Sequence, residues 1–303
     1  MGKHVTNKLL VSVNRTLLSA AFRGLGALPW PVLRGLSSFI AWLARDVVHY
    51  RRGVCRSNIA SSFPEMSEDE VDMTVRDFYG FLADYFLETV KLGVMSPDEM
   101  RTRMKFENIE EVNDDLRAGV NISLFLGHYC NWEWVSSLPL WLDLSKGAVP
   151  CQIYHPLSNV AADEVFAKIR RHFGSNNLPM ATCAKTLMEL NAAGTTSITG
   201  YIADQTPSRR AIHHWLPFLN HDTPVFTGAE KISRKIHAAA YYIDLHRVER
   251  GRYVARFVKI SGDVASEAPD AVTERYFSML EESIRRQPAL WLWTHRRWKH
   301  KRN

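Results

Sequence analysis

The chain has 303 residues, of which 46% are hydrophobic and 23% charged, and its formal net charge is +6. These values exclude a disordered chain and allow one large folded domain or two modest ones. There is no uninterrupted apolar run of about 18 residues and no short apolar block followed by a small-residue cleavage site. Both absences argue against a plain membrane-spanning helix and a cleavable signal peptide.

From Leu9 to Val48 the chain is rich in Leu, Ala, Phe and Trp, broken by Arg15, Arg23, Arg34 and Arg45. Leu28-Pro29-Trp30-Pro31 divides this stretch into two predicted helices. Trp30 and Trp42, with arginines spaced along the helices, are what a helix lying in a membrane surface presents to the headgroups. The competing reading packs both helices on the protein's own core. Residues 1–55 are read as an N-terminal amphipathic, membrane-associated region, and residues 56–303 as an α/β domain.

Ser67 with Glu70 three positions on makes a capping box that opens a helix through Val71, Val75, Phe78, Phe81, Leu82, Tyr85 and Phe86. Asn121 to Leu126 reads as a short buried strand ending at Gly127, with Asn131 capping the helix that follows. Val149 to Tyr154 is a second strand, Ala161 to Phe173 a helix, and Thr182 to Ala193 another, closed by Gly194. Thr195 to Ile202 is β-rich and delivers Ala203-Asp204-Gln205 at its end. Thr227 to Ala238 is helical, and Ala239 to His246 and Tyr253 to Ile260 form a hairpin around Gly251-Arg252. A last helix spans about Asp270 to Arg286. This alternation predicts a mainly parallel central sheet flanked by helices, with ligands bound at the carboxyl ends of its strands. His128 and Asp204 both lie just past such ends.

In Gly127-His128-Tyr129-Cys130-Asn131-Trp132-Glu133, a histidine precedes a glutamate by five positions. An imidazole is the side chain best suited to take a proton from an alcohol near neutral pH. A carboxylate on its other nitrogen fixes the tautomer and stabilises the imidazolium as it forms. No GxSxG elbow is present, so the proton is expected to come from a substrate hydroxyl rather than an enzyme serine. Taken alone, this spacing also suits a structural histidine. Histidines 128, 155, 213, 214 and 221 with Asp204 and Asp222 could supply zinc ligands, but no tight ligand spacing occurs and no metal is expected.

Arg170, Arg171, Arg209 and Arg210 flank the predicted rim and suit capture of phosphate or carboxylate, although exposed arginines are usually only solvated. Neither a Walker motif nor GxGxxG occurs, which removes the common nucleotide readings. Phe125, Trp132, Trp134, Trp215, Phe218 and Phe226 fit either an apolar channel or the core. The basic end from His295 to Arg302 suits phospholipid headgroups, acidic carrier proteins or nucleic acid, or is a solvated tail. Cys55, Cys130, Cys151 and Cys183 are widely spaced with no CxxC pair, as in a reducing compartment.

The block Gly127 to Glu133 resembles the Gly-His-x-Gly-Asn-Trp-Glu block of the bacterial lipid A biosynthesis acyltransferases, of the lauroyl/myristoyl type. These belong to the lysophospholipid acyltransferase-like superfamily with its His-x4-Asp/Glu signature. Arg56 to Glu65, Arg170 to Gly174, Ala203-Asp204-Gln205 and Trp293 to Lys299 are similar to further blocks of that family, in the same order. The resemblance implies an enzyme at the cytoplasmic face of the inner membrane that moves a fatty acyl chain from acyl carrier protein or coenzyme A to a hydroxyl of a membrane lipid, such as a lipid A precursor. It implies no cofactor beyond the donor thioester and no nucleic-acid partner.

By the same resemblance His128 is the general base and Glu133 its partner. Arg171 binds phosphate or the donor, Asp204 organises the acceptor, and Arg170, Gln205 and Asn131 complete the substrate-binding set. Cys130 stands where the family usually has glycine, and Ser208 to His214 and Pro217 to Asn220 depart from its usual glycine-bearing stretch, which leaves the acceptor open. The alternatives are a thioesterase or lipid hydrolase using the same dyad to activate water, and a non-enzymatic basic protein binding membrane or nucleic acid.

Overall fold

A computed structural model describes residues 8–302; residues 1–7 of the N-terminal region and Asn303 lie outside the described ones. Helices α1 (Lys8–Ala27) and α2 (Trp30–Trp42) are separated where expected. Pro29 is extended and Pro31 sits in the first turn of α2, the one place where a helix loses nothing by lacking an N–H. A short π turn (Leu43–Val47) leads to α3 (Arg52–Ser62) and then α4 (Glu68–Leu92). Ser67 and Glu70 close the capping box at the start of α4 in both directions.

The α/β body continues with α5 (Pro97–Arg103), β1 (Met104–Glu107), α6 (Ile109–Arg117) and β2 (Ile122–Leu126). After a 3-10 helix (Trp132–Leu140) come β3 (Val149–Tyr154), α7 (Val160–Arg170), β4 (Asn176–Pro179), α8 (Cys183–Ala192) and β5 (Ser197–Ile202). A hairpin of β6 (His214–Phe218) and β7 (His221–Val225) precedes α9 (Gly228–Lys235), β8 (Ala239–Glu249), β9 (Arg252–Ser261) and α10 (Ala271–Arg286).

Seven strands form one sheet in the order β1-β9-β8-β2-β5-β3-β4. The run from β8 to β4 is parallel; β9 turns back against β8, and β1 runs with β9. This is the mainly parallel, helix-flanked sheet that the alternating pattern predicts. Because side chains alternate along a strand, registered residues share a face. Leu124, Gly200 and Gln152 lie on one row. On their face Gln152 donates to the Arg170 carbonyl of α7 at 3.0 Å, and α7 in turn packs on the 3-10 helix. The opposite face carries Ser123, bonded to Ser233 of α9 at 2.7 Å, and Phe125, packed on Tyr276 of α10.

Three expectations need correction. The segment after Asn131 is a 3-10 helix rather than an α-helix, and Pro139 inside it removes an N–H that an α-helix needs. Trp30 does not face outward: its indole donates to Glu99 at 2.6 Å, its ring meets Trp134 edge-on, and the Arg103 guanidinium lies 3.8 Å above it. Trp42, by contrast, is half exposed. Arg297 of the basic end is interior, with no exposed surface; it donates to the Pro224 carbonyl at 2.8 Å, and burial lowers its pKa to about 10. Among the described residues no helix is long and apolar enough to cross a membrane.

Candidate active site

Neighbouring strands β2 and β5 end side by side, and their next residues build the site. Gly127 lies against α10 so closely that a Cβ there would stand 2.7 Å from Leu280 Cδ1 and 3.3 Å from Asp204 Oδ2. The absent side chain lets Asp204 reach the next residue. Asp204 Oδ1 is 2.6 Å from His128 Nδ1, and Oδ2 accepts from the His128 backbone N–H at 2.9 Å and from the Trp291 indole at 2.7 Å. The carboxyl is fully buried. Burial alone would raise its pKa, but the charge of His128 and the hydrogen bonds from His128 and Trp291 hold it below the usual carboxylate value. In the neutral imidazole with Nδ1–H donated to Asp204, Nε2 carries the lone pair, and the Gln205 amide lies 3.2 Å from it.

Glu133 takes no part in that pair. Its two oxygens accept from Arg170 Nε at 2.8 Å and Nη2 at 2.6 Å, and Oε1 also from the Tyr85 hydroxyl at 3.3 Å. This planar two-bond match is what a guanidinium makes best with a carboxylate. Burial works against the Arg170 charge, yet the Glu133 bond and charge hold its pKa above the ordinary arginine value. The expected His128–Glu133 contact is thus replaced by two pairs, His128–Asp204 and Arg170–Glu133, because sheet adjacency brings Asp204 to the imidazole while α7 reaches Glu133.

The turn between them is held from behind. Cys130 is fully buried with φ +55°, the left-handed backbone for which glycine is the usual residue. Its N–H donates to the Leu290 carbonyl at 2.8 Å. Asn131, expected among the substrate-binding residues, has no exposed surface: its Oδ1 caps Trp134 N at 3.3 Å and its amide donates to Glu88 at 2.7 Å. Glu88 also accepts from the Tyr253 hydroxyl at 2.6 Å, and burial pushes its pKa up to about 7.

The site opens into a cavity of about 700 Å³ lined by His128, Glu133, Arg170, Gln205 and a largely apolar wall. Trp132 and Phe226 of the aromatics singled out above belong to this wall, whereas Phe125, Trp134 and Phe218 are core. Arg171, expected to bind phosphate or donor, is exposed at the end of α7 and outside the lining, where Arg170 stands instead. Among the described residues no three His, Cys, Asp or Glu side chains group as a metal site.

A profile of the bacterial lipid A biosynthesis acyltransferases matches residues 4–300. The chain belongs to that family. A 144-residue stretch is 22% identical to lipid A biosynthesis acyltransferase 2 of Shigella flexneri, covering 48% of this chain and 43% of that relative. Within the family's His-x4-Glu block, the structure separates the two residues' partners, and it adds Trp291, which no sequence signal singled out. The departure at Cys130 keeps the tight turn by accepting a left-handed backbone without glycine.

Proposed function

We propose that this chain is an O-acyltransferase that moves a fatty acyl group from an acyl thioester to a hydroxyl of a membrane lipid, with His128 as general base and Asp204 as its partner. The observation that carries this reading is the 2.6 Å contact between His128 Nδ1 and a buried, ionised Asp204 beside an apolar cavity. In this reading Asp204 stands beside the imidazole in place of Glu133, whose carboxylate is bonded to Arg170 at the cavity wall.

His128 Nε2 accepts the proton of the acceptor hydroxyl as its oxygen attacks the thioester carbonyl. Asp204 stabilises the imidazolium that forms. The tetrahedral oxyanion collapses, the C–S bond breaks, and the departing thiolate takes the proton back from Nε2. No enzyme nucleophile is consumed. Acyl carrier protein and coenzyme A both deliver such a thioester, and the family name makes a lipid A precursor the first acceptor to test.

Membrane association at the cytoplasmic face of the inner membrane is part of the same proposal. Leu17, Phe39, Trp42 and Val48 are exposed along α1, α2 and the turn after them. Exposed apolar side chains on helices that also carry arginines suit an anionic bilayer. Incubating purified protein with labelled acyl thioester and lipid acceptor tests the reading. Acylated lipid that disappears in His128→Ala supports it, and free fatty acid alone would assign a thioesterase.

A further inference from the structure

Both turns of the site are laced to one closing segment, residues 290–298. The Cys130 N–H donates to the Leu290 carbonyl at 2.8 Å, and the Leu292 N–H to the His128 carbonyl at 3.1 Å. Thr206, two residues past Asp204, donates its N–H to His295 Nε2 at 3.2 Å and its hydroxyl to the Arg297 carbonyl. From α3, Asn58 donates to the Trp293 and His295 carbonyls at 2.9 Å each.

These backbone contacts hold the segment without using the Arg297 charge. Its guanidinium is fully buried; Nη2 donates to the Pro224 carbonyl, while Nε and Nη1 have no partner among the described residues. It stands 5.9 Å from the centre of the Phe277 ring on α10. The next residue, Tyr276, donates to the Leu126 carbonyl at the end of β2 at 2.9 Å. A buried cation with no bonded counter-ion is costly. The carboxylate whose charge favours this one is Asp204, itself buried at the same rim.

The other titratable groups around Asp204 do not balance it. Burial keeps Tyr276 of α10 and Tyr242 of β8 neutral, and lowers the His295 pKa to about 4. Glu133 of the 3-10 helix and Arg170 of α7 offset each other.

We propose that Arg297 is a positioning residue whose fixed charge balances Asp204 and so limits how firmly the His128–Asp204 pair keeps a proton on the imidazole. This rests on the general-base reading of His128. A carboxylate bonded to an imidazole stabilises the imidazolium, and a base that stays protonated cannot act. A cation behind the carboxylate weakens that hold.

The test follows the His128 imidazole by NMR titration in full-length protein, its signal identified by its absence in His128→Ala. In parallel, kcat/KM is measured against pH with an acyl-CoA thioester and a lipid A precursor. Arg297→Gln keeps a donor for Pro224 but loses the charge. Its NMR midpoint and the acidic limb of kcat/KM both move up by about 0.5–1 pH unit, as expected for a unit charge roughly 10 Å away in protein. Below the limb its kcat/KM falls about three- to tenfold, and the loss narrows as pH rises. Arg297→Lys, which keeps the charge, keeps the wild-type midpoint, as does Arg296→Gln at the exposed neighbour. An unmoved midpoint in folded Arg297→Gln, with only a lower melting temperature, overturns the proposal. An equal shift in Arg297→Lys does the same, and decides the matter should Arg297→Gln fail to fold. A wild-type protein that transfers nothing while the midpoint still moves in Arg297→Gln would sink the transfer reading and leave the charge balance standing.

Discussion

The imidazole of His128 is held by Asp204, 76 positions away along the chain, and not by Glu133, five positions away. Two pairs therefore share one cavity: Asp204 holds the His128 imidazole, and Glu133 ties the 3-10 helix to α7 through Arg170.

The second pair has a stability signature. Glu133→Ala removes both acceptors from a largely buried guanidinium and costs about 3 kcal/mol by urea unfolding, since the remaining charge is left uncompensated. A double variant, Glu133→Leu with Arg170→Met, recovers most of that loss. Equal instability of the single and double variants would show that the pair is not coupled.

Gly127 is a site of close approach. Gly127→Ala pushes a methyl into Leu280, which is fully buried, and against Asp204. The expected cost is about 1–3 kcal/mol, with a larger fall in turnover because Asp204 is displaced. Pairing it with Leu280→Val restores part of both; thermal melts and initial rates report the two effects separately.

Cys130 occupies a left-handed conformation without being glycine. Relief of that strain by Cys130→Gly is worth about 1 kcal/mol and offsets the lost burial of the thiol, so the melting temperature changes little. Cys130→Ala keeps the strain and loses the packing, and melts lower. Burial raises the Cys130 thiol pKa, so alkylating reagents leave it unmodified in the native protein.

Glu88 gives a pH dependence whose sign follows from its raised pKa. The folded protein holds its proton up to about pH 7, whereas the ordinary value is 4.5. Its contribution is therefore complete below pH 4.5 and is lost as pH rises toward 7. Glu88→Gln, which cannot ionise, gains on wild type in melting temperature across that interval. A constant difference from pH 4.5 to 7 would contradict the assignment.

How much of this was legible depended on whether the signal was local. Ser67 with Glu70, the apolar run of β2 and the Ala203-Asp204-Gln205 turn carry their structure in neighbouring residues, so α4, β2 and the rim were readable. The β6–β7 hairpin was missed because Pro217 and Pro224 sit inside its strands, where proline normally argues against a strand. The carboxylate that contacts His128 was misread for a different reason. Spacing along the chain favours Glu133, but which carboxylate meets an imidazole is decided by strand order, and no local pattern places β5 next to β2. Arg171 was likewise preferred to Arg170, and only the end of α7 fixes which of the two lines the cavity.

The most direct test compares Asp204→Asn with Glu133→Gln in acyl transfer by purified, folded protein. The account predicts that Asp204→Asn lowers kcat by about 10²–10⁴-fold with little change in KM, because the imidazole loses the partner that sets its tautomer. Glu133→Gln keeps most of kcat and alters KM. Full turnover by Asp204→Asn, with kcat abolished in Glu133→Gln, would contradict it.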